Sequence, residues 1–157
     1  MNGLNLSQFK TLIVRPALTD AGLGGDAAVN LLTGTCLVES ALVWLKQVQG
    51  SALGIAQMEP QTHDDCWENF LNYKDNFSKN IMKTCGITGF PNAEVMVWNL
   101  QYAVLMARVK YLRVSAPLPS AKNAEDMSNY HKKYYNTSLG QANASANTLL
   151  FQRAINA

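Results

Sequence analysis

Charge is scarce in this chain. Of its 157 residues only 15% are Asp, Glu, Lys or Arg, against roughly 25% in an average soluble domain. The net charge is +2 and the one basic pair of note is Lys132-Lys133, which argues against a nucleic-acid surface. So little charge has two readings: part of the surface is covered by partners, or the surface is neutral and rich in Asn, Gln and Ser. Cysteine is also sparse. Cys36, Cys66 and Cys85 are odd in number, widely spaced and without a CxxC, so a disulfide framework is not expected and a reducing site of synthesis fits. No run of 18 apolar residues occurs, which excludes a spanning helix. The start, Met1-Asn2-Gly3-Leu4-Asn5, lacks the basic and apolar regions of a signal peptide. No glycine-rich loop follows a strand pattern, so no nucleotide site is expected.

What the chain does have is apolar residues, 48% of the total, enough for one domain with a proper core. Their spacing is helical almost throughout, and no period-2 alternation stands out. Ser7 is the expected cap of a first helix beginning at Gln8, and Pro16 interrupts that helix or starts a second short one. Asp26 is expected to cap a helix reaching about Gln49, with Ala27, Leu31, Val38, Leu42 and Leu45 on its apolar face. Pro60 opens the next helix, to about Tyr73. A broken segment from Asn76 to Gly89 follows, then a long helix from Asn92 to about Val114. The stiff Ala116-Pro117-Leu118-Pro119-Ser120 linker leads to a helix from Asn123 or Ala124 to Tyr134, stopped at Gly140. A last helix covers Asn143 to Ala157. The expected fold class is all-α.

Candidate chemistry centres on Glu39, which lies among Cys36, Leu37, Val38, Leu42 and Val43. Apolar surroundings disfavour a carboxylate's charge, and a glutamic acid kept protonated can donate to a glycosidic oxygen. The alternative is a helix glutamate on the polar side, facing water. His63 lies beside Asp64, Asp65 and Cys66, yet the spacing matches no zinc pattern, so a surface histidine is expected and no metal or cofactor is implied. Asp64 and Asp65 read as a solvated first turn of a helix. Trp44, Trp67 and Trp98 are candidates for sugar stacking, with core packing the default. Cys36, Met96 and Met106 read as core.

Four motifs fall in one order. Glu39-Ser40 is followed by Ala52-Leu53-Gly54-Ile55-Ala56-Gln57 with Pro60 and Thr62, then by Asn99, then by Tyr135-Asn136. Together they resemble the lytic transglycosylase and goose-type lysozyme superfamily over about residues 26–140. Ser51 departs from that pattern where a glycine is usual, and Thr137-Ser138-Leu139 displace the final glycine to Gly140. The resemblance implies a single lysozyme-like helical domain over residues 1–140, with residues 141–157 as a helical tail that closes the core or docks on a partner. It implies Glu39 as acid and then base, oriented by the Tyr135 hydroxyl, with Ser40, Gly54, Gln57, Asn99 and Asn136 around the glycan. A transglycosylase needs one carboxylate, whereas a hydrolase using water usually needs a second, for which Glu59, Asp64 and Asp65 are the candidates.

The Met106–Arg113 segment, the Pro-Leu-Pro linker and His131–Asn136 also resemble short tailed-phage virion proteins of lysozyme-like fold. Two functions follow. One is a head–tail adaptor made in the host cytoplasm, forming a homo-oligomeric ring in the virion against portal and tail proteins. The other is a peptidoglycan-cleaving enzyme.

Overall fold

The computed structural model describes residues 2–136 and 143–157, and all regular elements among them are helical. The first three, α1 (Leu6–Gln8), a π-helical turn (Phe9–Val14) and α2 (Arg15–Asp20), run on without a break. Pro16 accounts for the wide turn. It has no N–H for the Leu12 carbonyl and its ring crowds that carbonyl, so the ladder widens by one residue and the Arg15 N–H reaches Lys10 O. The cap is Asn5, whose Oδ1 accepts from Gln8 N at 3.0 Å; Ser7, the expected cap, lies inside the helix.

Two helices form the centre. In α3 (Asp26–Ser40) every residue from Ala28 to Leu37 is buried, and in α7 (Leu100–Leu112) every residue from Tyr102 to Val109. Helices buried all round show no single apolar face. Each fully buried Leu or Val contributes roughly 1.5–3 kcal/mol of burial free energy, so these helices dominate the core.

Three expected boundaries move. Gly25, not Asp26, stands at the N-cap of α3, and Asp26 pairs with Arg15 at 2.9 Å. The helix stops at Ser40, well short of Gln49, because Ala41 and Leu42 take left-handed φ values of 52° and 57°. The Ser40 hydroxyl accepts from Leu42 N, and Leu42 O accepts from Leu4 N, which hold that turn. Residues 41–59 then fold back through isolated bridges, Lys46 with Leu53 and Leu53 with Met58. The helix expected from Asn92 to Val114 is α6 (Val95–Trp98) and α7, divided at Asn99, whose backbone is extended.

Between these lie α4 (Pro60–Glu68), a 3-10 turn (Leu71–Tyr73) and α5 (Asp75–Cys85), the last closed by Gly86 at φ 64°. After the proline linker come α8 (Ala124–Tyr134) and α9 (Ala144–Asn156), capped by Asn123 and Asn143. The expected stop at Gly140 lies outside the described residues. Helix α9 packs on α3 and α8 with Phe151 and Ala154 buried, while Leu149 is exposed. Gly34 makes room for it: a Cβ there would sit 2.2 Å from the Phe151 ring. Lys10 Nζ, itself buried, donates to the carbonyls of Ala154, Ile155 and Ala157, tying the first helix to the end of the last.

Candidate functional site

Glu39 lies one residue before the end of α3, and its side chain keeps 14% of its exposure. Its neighbours come from α8 and the residues just after it. His131 Nε2 is 2.7 Å from Glu39 Oε1, and Asn136 Nδ2 donates to the same oxygen at 3.4 Å. His131 is completely buried, and its Nδ1 has no hydrogen-bond partner among the described residues. The assignment consistent with this is an Nε2–H that donates to the carboxylate, leaving only a lone pair unmatched at Nδ1. His131 and Tyr135 are one helical turn apart, and their rings stack at 5.7 Å. Phe151 of α9 closes the other side of the imidazole, also at 5.7 Å.

Tyr135 does not bond to Glu39. Its hydroxyl donates to the carbonyl of Ala56 at 2.9 Å, inside the core. Burial pushes this phenol well above its usual value, and the negative charge of Glu39 adds to the rise. Lys110 completes the cluster. Its Nζ donates to Tyr135 O at 2.6 Å and lies 4.3 Å from the centroid of the Tyr135 ring. Burial lowers its pKa, and Glu39 acts against that.

The remaining motif residues are committed to the backbone. Gly54 has φ 76°, and a Cβ there would meet Met96 O at 2.6 Å, so a side chain is excluded on both counts. Gln57 turns its Nε2 onto Gly54 O at 2.8 Å. Ser40 Oγ donates to Cys36 O. Asn99 caps α7, accepting from Tyr102 N at 3.0 Å while donating to Cys85 O at 3.0 Å. The structure thus brings Glu39, Ala56, Tyr135 and Asn136 together with His131 and Lys110, and puts Asn99 to work at a helix junction.

None of the candidate second carboxylates bonds to Glu39. Glu59 accepts from Ser51 Oγ, Asp64 meets His63 Nδ1, and Asp65 accepts from Arg113. The Arg113 bond holds Asp65 below the usual carboxylate range. His63 is not at the surface; it is fully buried and bonded to Tyr102. Trp67 is core, as are Cys36, Met96 and Met106, but Trp44 and Trp98 are exposed. Among the described residues no group of three or more His, Cys, Asp or Glu side chains is placed to hold a metal ion, and no helix is long and apolar enough to cross a membrane.

His131, Ala56 and Lys110 are the site residues that sequence reasoning missed. Only His131 carried a signal, its place four residues before Tyr135 on one helix face. Comparison with known proteins finds no matching family model, no matching curated protein and no matching solved structure.

Proposed function

We propose that this chain is a structural subunit of a tailed-phage virion, a head–tail adaptor of lysozyme-like fold that assembles as a ring at the portal. The observation that carries this reading is how the would-be glycan-gripping groups are used. Gln57, Ser40, Asn99 and Tyr135 each direct a hydrogen bond into the chain's own backbone. Glu39 is held by His131 and Asn136, an arrangement suited to a carboxylate bracing α3 against α8 more than to a free proton donor. Exposed Leu4, Leu45 and Trp98 line a groove of about 390 Å³ with Val43 and Leu100, an apolar surface suited to a protein neighbour. The test is assembly with a phage portal, followed by native mass spectrometry and electron microscopy. A ring on the portal, unchanged by Glu39→Gln, is expected. A chain that stays monomeric beside the portal overturns the reading.

A second reading, a peptidoglycan-cleaving enzyme, is favoured by one observation: the Glu39 side chain retains 14% of its exposure beside Asn136, so its carboxylate is open to solvent. It requires zymogram clearing by the wild-type protein, abolished by Glu39→Gln. Folded wild-type protein that clears nothing rejects it.

A further inference from the structure

A second concavity lies away from Glu39. Trp67, Met82, Phe90 and Pro91 wall a pocket of about 360 Å³, with Ser78 and Lys79 of α5 at its edge, within the range of ligand-sized pockets. Its aromatic wall is a tilted Trp67–Phe90 pair with centroids 5.1 Å apart. Trp67 is buried at 4% exposure, whereas Phe90 is 67% exposed.

The buried half of that wall is fixed by a chain of hydrogen bonds. Trp67 Nε1–H donates to the Tyr102 hydroxyl at 2.9 Å, and that hydroxyl meets His63 Nε2 at 2.7 Å. His63 Nδ1 meets Asp64 at 2.9 Å. An indole so held cannot swing to fill the pocket, so this half of the wall is formed in advance of any occupant, while the exposed Phe90 forms the other half. Lys79 and Lys83 have no ion pair within 4 Å among the described residues, and the only acid on α5 is Asp75 in its first turn. Of these, Lys79 lines the pocket and gives its edge one positive charge, which Asp75, a turn earlier, does not pair.

We infer that this pocket receives an aromatic or large aliphatic side chain of a partner protein segment, with a carboxylate next to that anchor pairing with Lys79. An apolar hole with one fixed aromatic wall and one flanking charge is how a protein hot spot is built. A glycan fits less well, because Trp67 shows almost no ring face and the lining has few polar groups. A membrane fits less well, because the apolar surface is concave. The inference concerns a different surface from Glu39 and does not depend on the adaptor reading: a chain that forms no ring leaves it standing.

The experiment titrates the whole protein with an acetylated, amidated Glu-Phe-Glu tripeptide and follows the Trp67 indole N–H resonance by NMR, assigned by elimination with the exposed-site variants Trp44→Phe and Trp98→Phe. At millimolar peptide the Trp67 resonance is expected to move. Lys79→Glu, Phe90→Ala, or a Lys-Phe-Lys peptide should each weaken binding by tenfold or more. Lys79 and Phe90 are exposed, so these variants should fold, and an unchanged remainder of the spectrum verifies it. A Trp67 resonance that does not move, moves equally with Lys-Phe-Lys, or moves with N-acetylglucosamine oligomers or anionic vesicles and not with the peptide, overturns the inference.

Discussion

The two histidines of this chain are both fully buried, and they are used differently. His63 is saturated. Trp67 can only donate to Tyr102, so the Tyr102 proton goes to His63 Nε2, and the Nδ1–H goes to Asp64. His131 is half used, with Nε2 on Glu39 and Nδ1 unmatched among the described residues. The two rings thus carry their protons on opposite nitrogens. A saturated network rigidifies what it touches, here the Trp67 wall. A half-used one leaves its partner, Glu39, with fewer constraints and some contact with solvent. Polar satisfaction distinguishes the Trp67 wall from the Glu39 site better than residue type does.

The sharpest way to break the contrast is Tyr102→Phe. It strands the Trp67 N–H and His63 Nε2 together in the core, and each orphaned group costs about 1–3 kcal/mol. Urea unfolding should show a loss of roughly 2–5 kcal/mol. A loss below the noise of such measurements would mean the network is not the brace described.

His131→Phe should cost less, about 1–3 kcal/mol. Phe preserves the packing between Tyr135 and Phe151, and Glu39 keeps Asn136 and its partial exposure. Equal losses for the two variants would remove the distinction between saturated and half-used histidines.

Alkaline pH tests the core around both. Burial raises Tyr102, Tyr111 and Tyr135 above the ordinary tyrosine value of 10.0. Each keeps its proton in the folded state after the unfolded chain has lost it. Their contribution is therefore full below pH 10 and is lost as pH rises above it, by about 1.4 kcal/mol per pH unit for each phenol. Lys110 has the opposite sign. Burial lowers it from 10.5, so its share of stability grows as pH rises through the interval between its depressed value and 10.5. Burial likewise raises the thiols of Cys36, Cys66 and Cys85 from 9.0 and lowers Lys10 from 10.5. The raised acids outnumber the two amines, so stability should fall as pH rises above 9.0, with unfolding followed by tyrosinate absorbance. Titration of all six tyrosines at ordinary pH in a still-folded chain would contradict this.

The all-helical character was legible because apolar residues recur at helical spacing, and Asn123, Asn143 and Pro60 mark helix starts as their chemistry suggests. The end of α3 was not legible. Leu42, Val43 and Leu45 continue an apolar run, and no glycine warns of the left-handed turn at Ala41 and Leu42, which long-range contacts with Leu4 hold in place. Asn99 has a second part to play: as a cap it divides a helix that its apolar flanks make look continuous. Glu39, Tyr135 and Asn136 were marked in the sequence and do converge. The Ala56 carbonyl that takes the Tyr135 hydroxyl was invisible, because a backbone acceptor leaves no trace in residue identity. Burial of the two histidines was missed because their partners lie 39 and 92 residues away.

The smallest expected effect on stability comes from Glu39→Gln, and it separates the two functions most cleanly. Both hydrogen bonds to Glu39, from His131 Nε2 and Asn136 Nδ2, fall on Oε1. A glutamine that presents its carbonyl there keeps both donors matched and places its amide where Oε2 stood, which has no hydrogen-bond partner among the described residues. The bond from His131 weakens from a charge-assisted to a neutral one, so stability should change by no more than about 1 kcal/mol. On the proposed adaptor reading, a brace tolerates that change, and ring assembly on the portal should persist at wild-type levels. An acid that must give and retake a proton does not tolerate it, because an amide does neither. If the wild-type chain clears cell wall and the variant, equally stable, does not, then Glu39 is chemistry and the internal commitments of Gln57, Asn99 and Tyr135 are the frame that holds it.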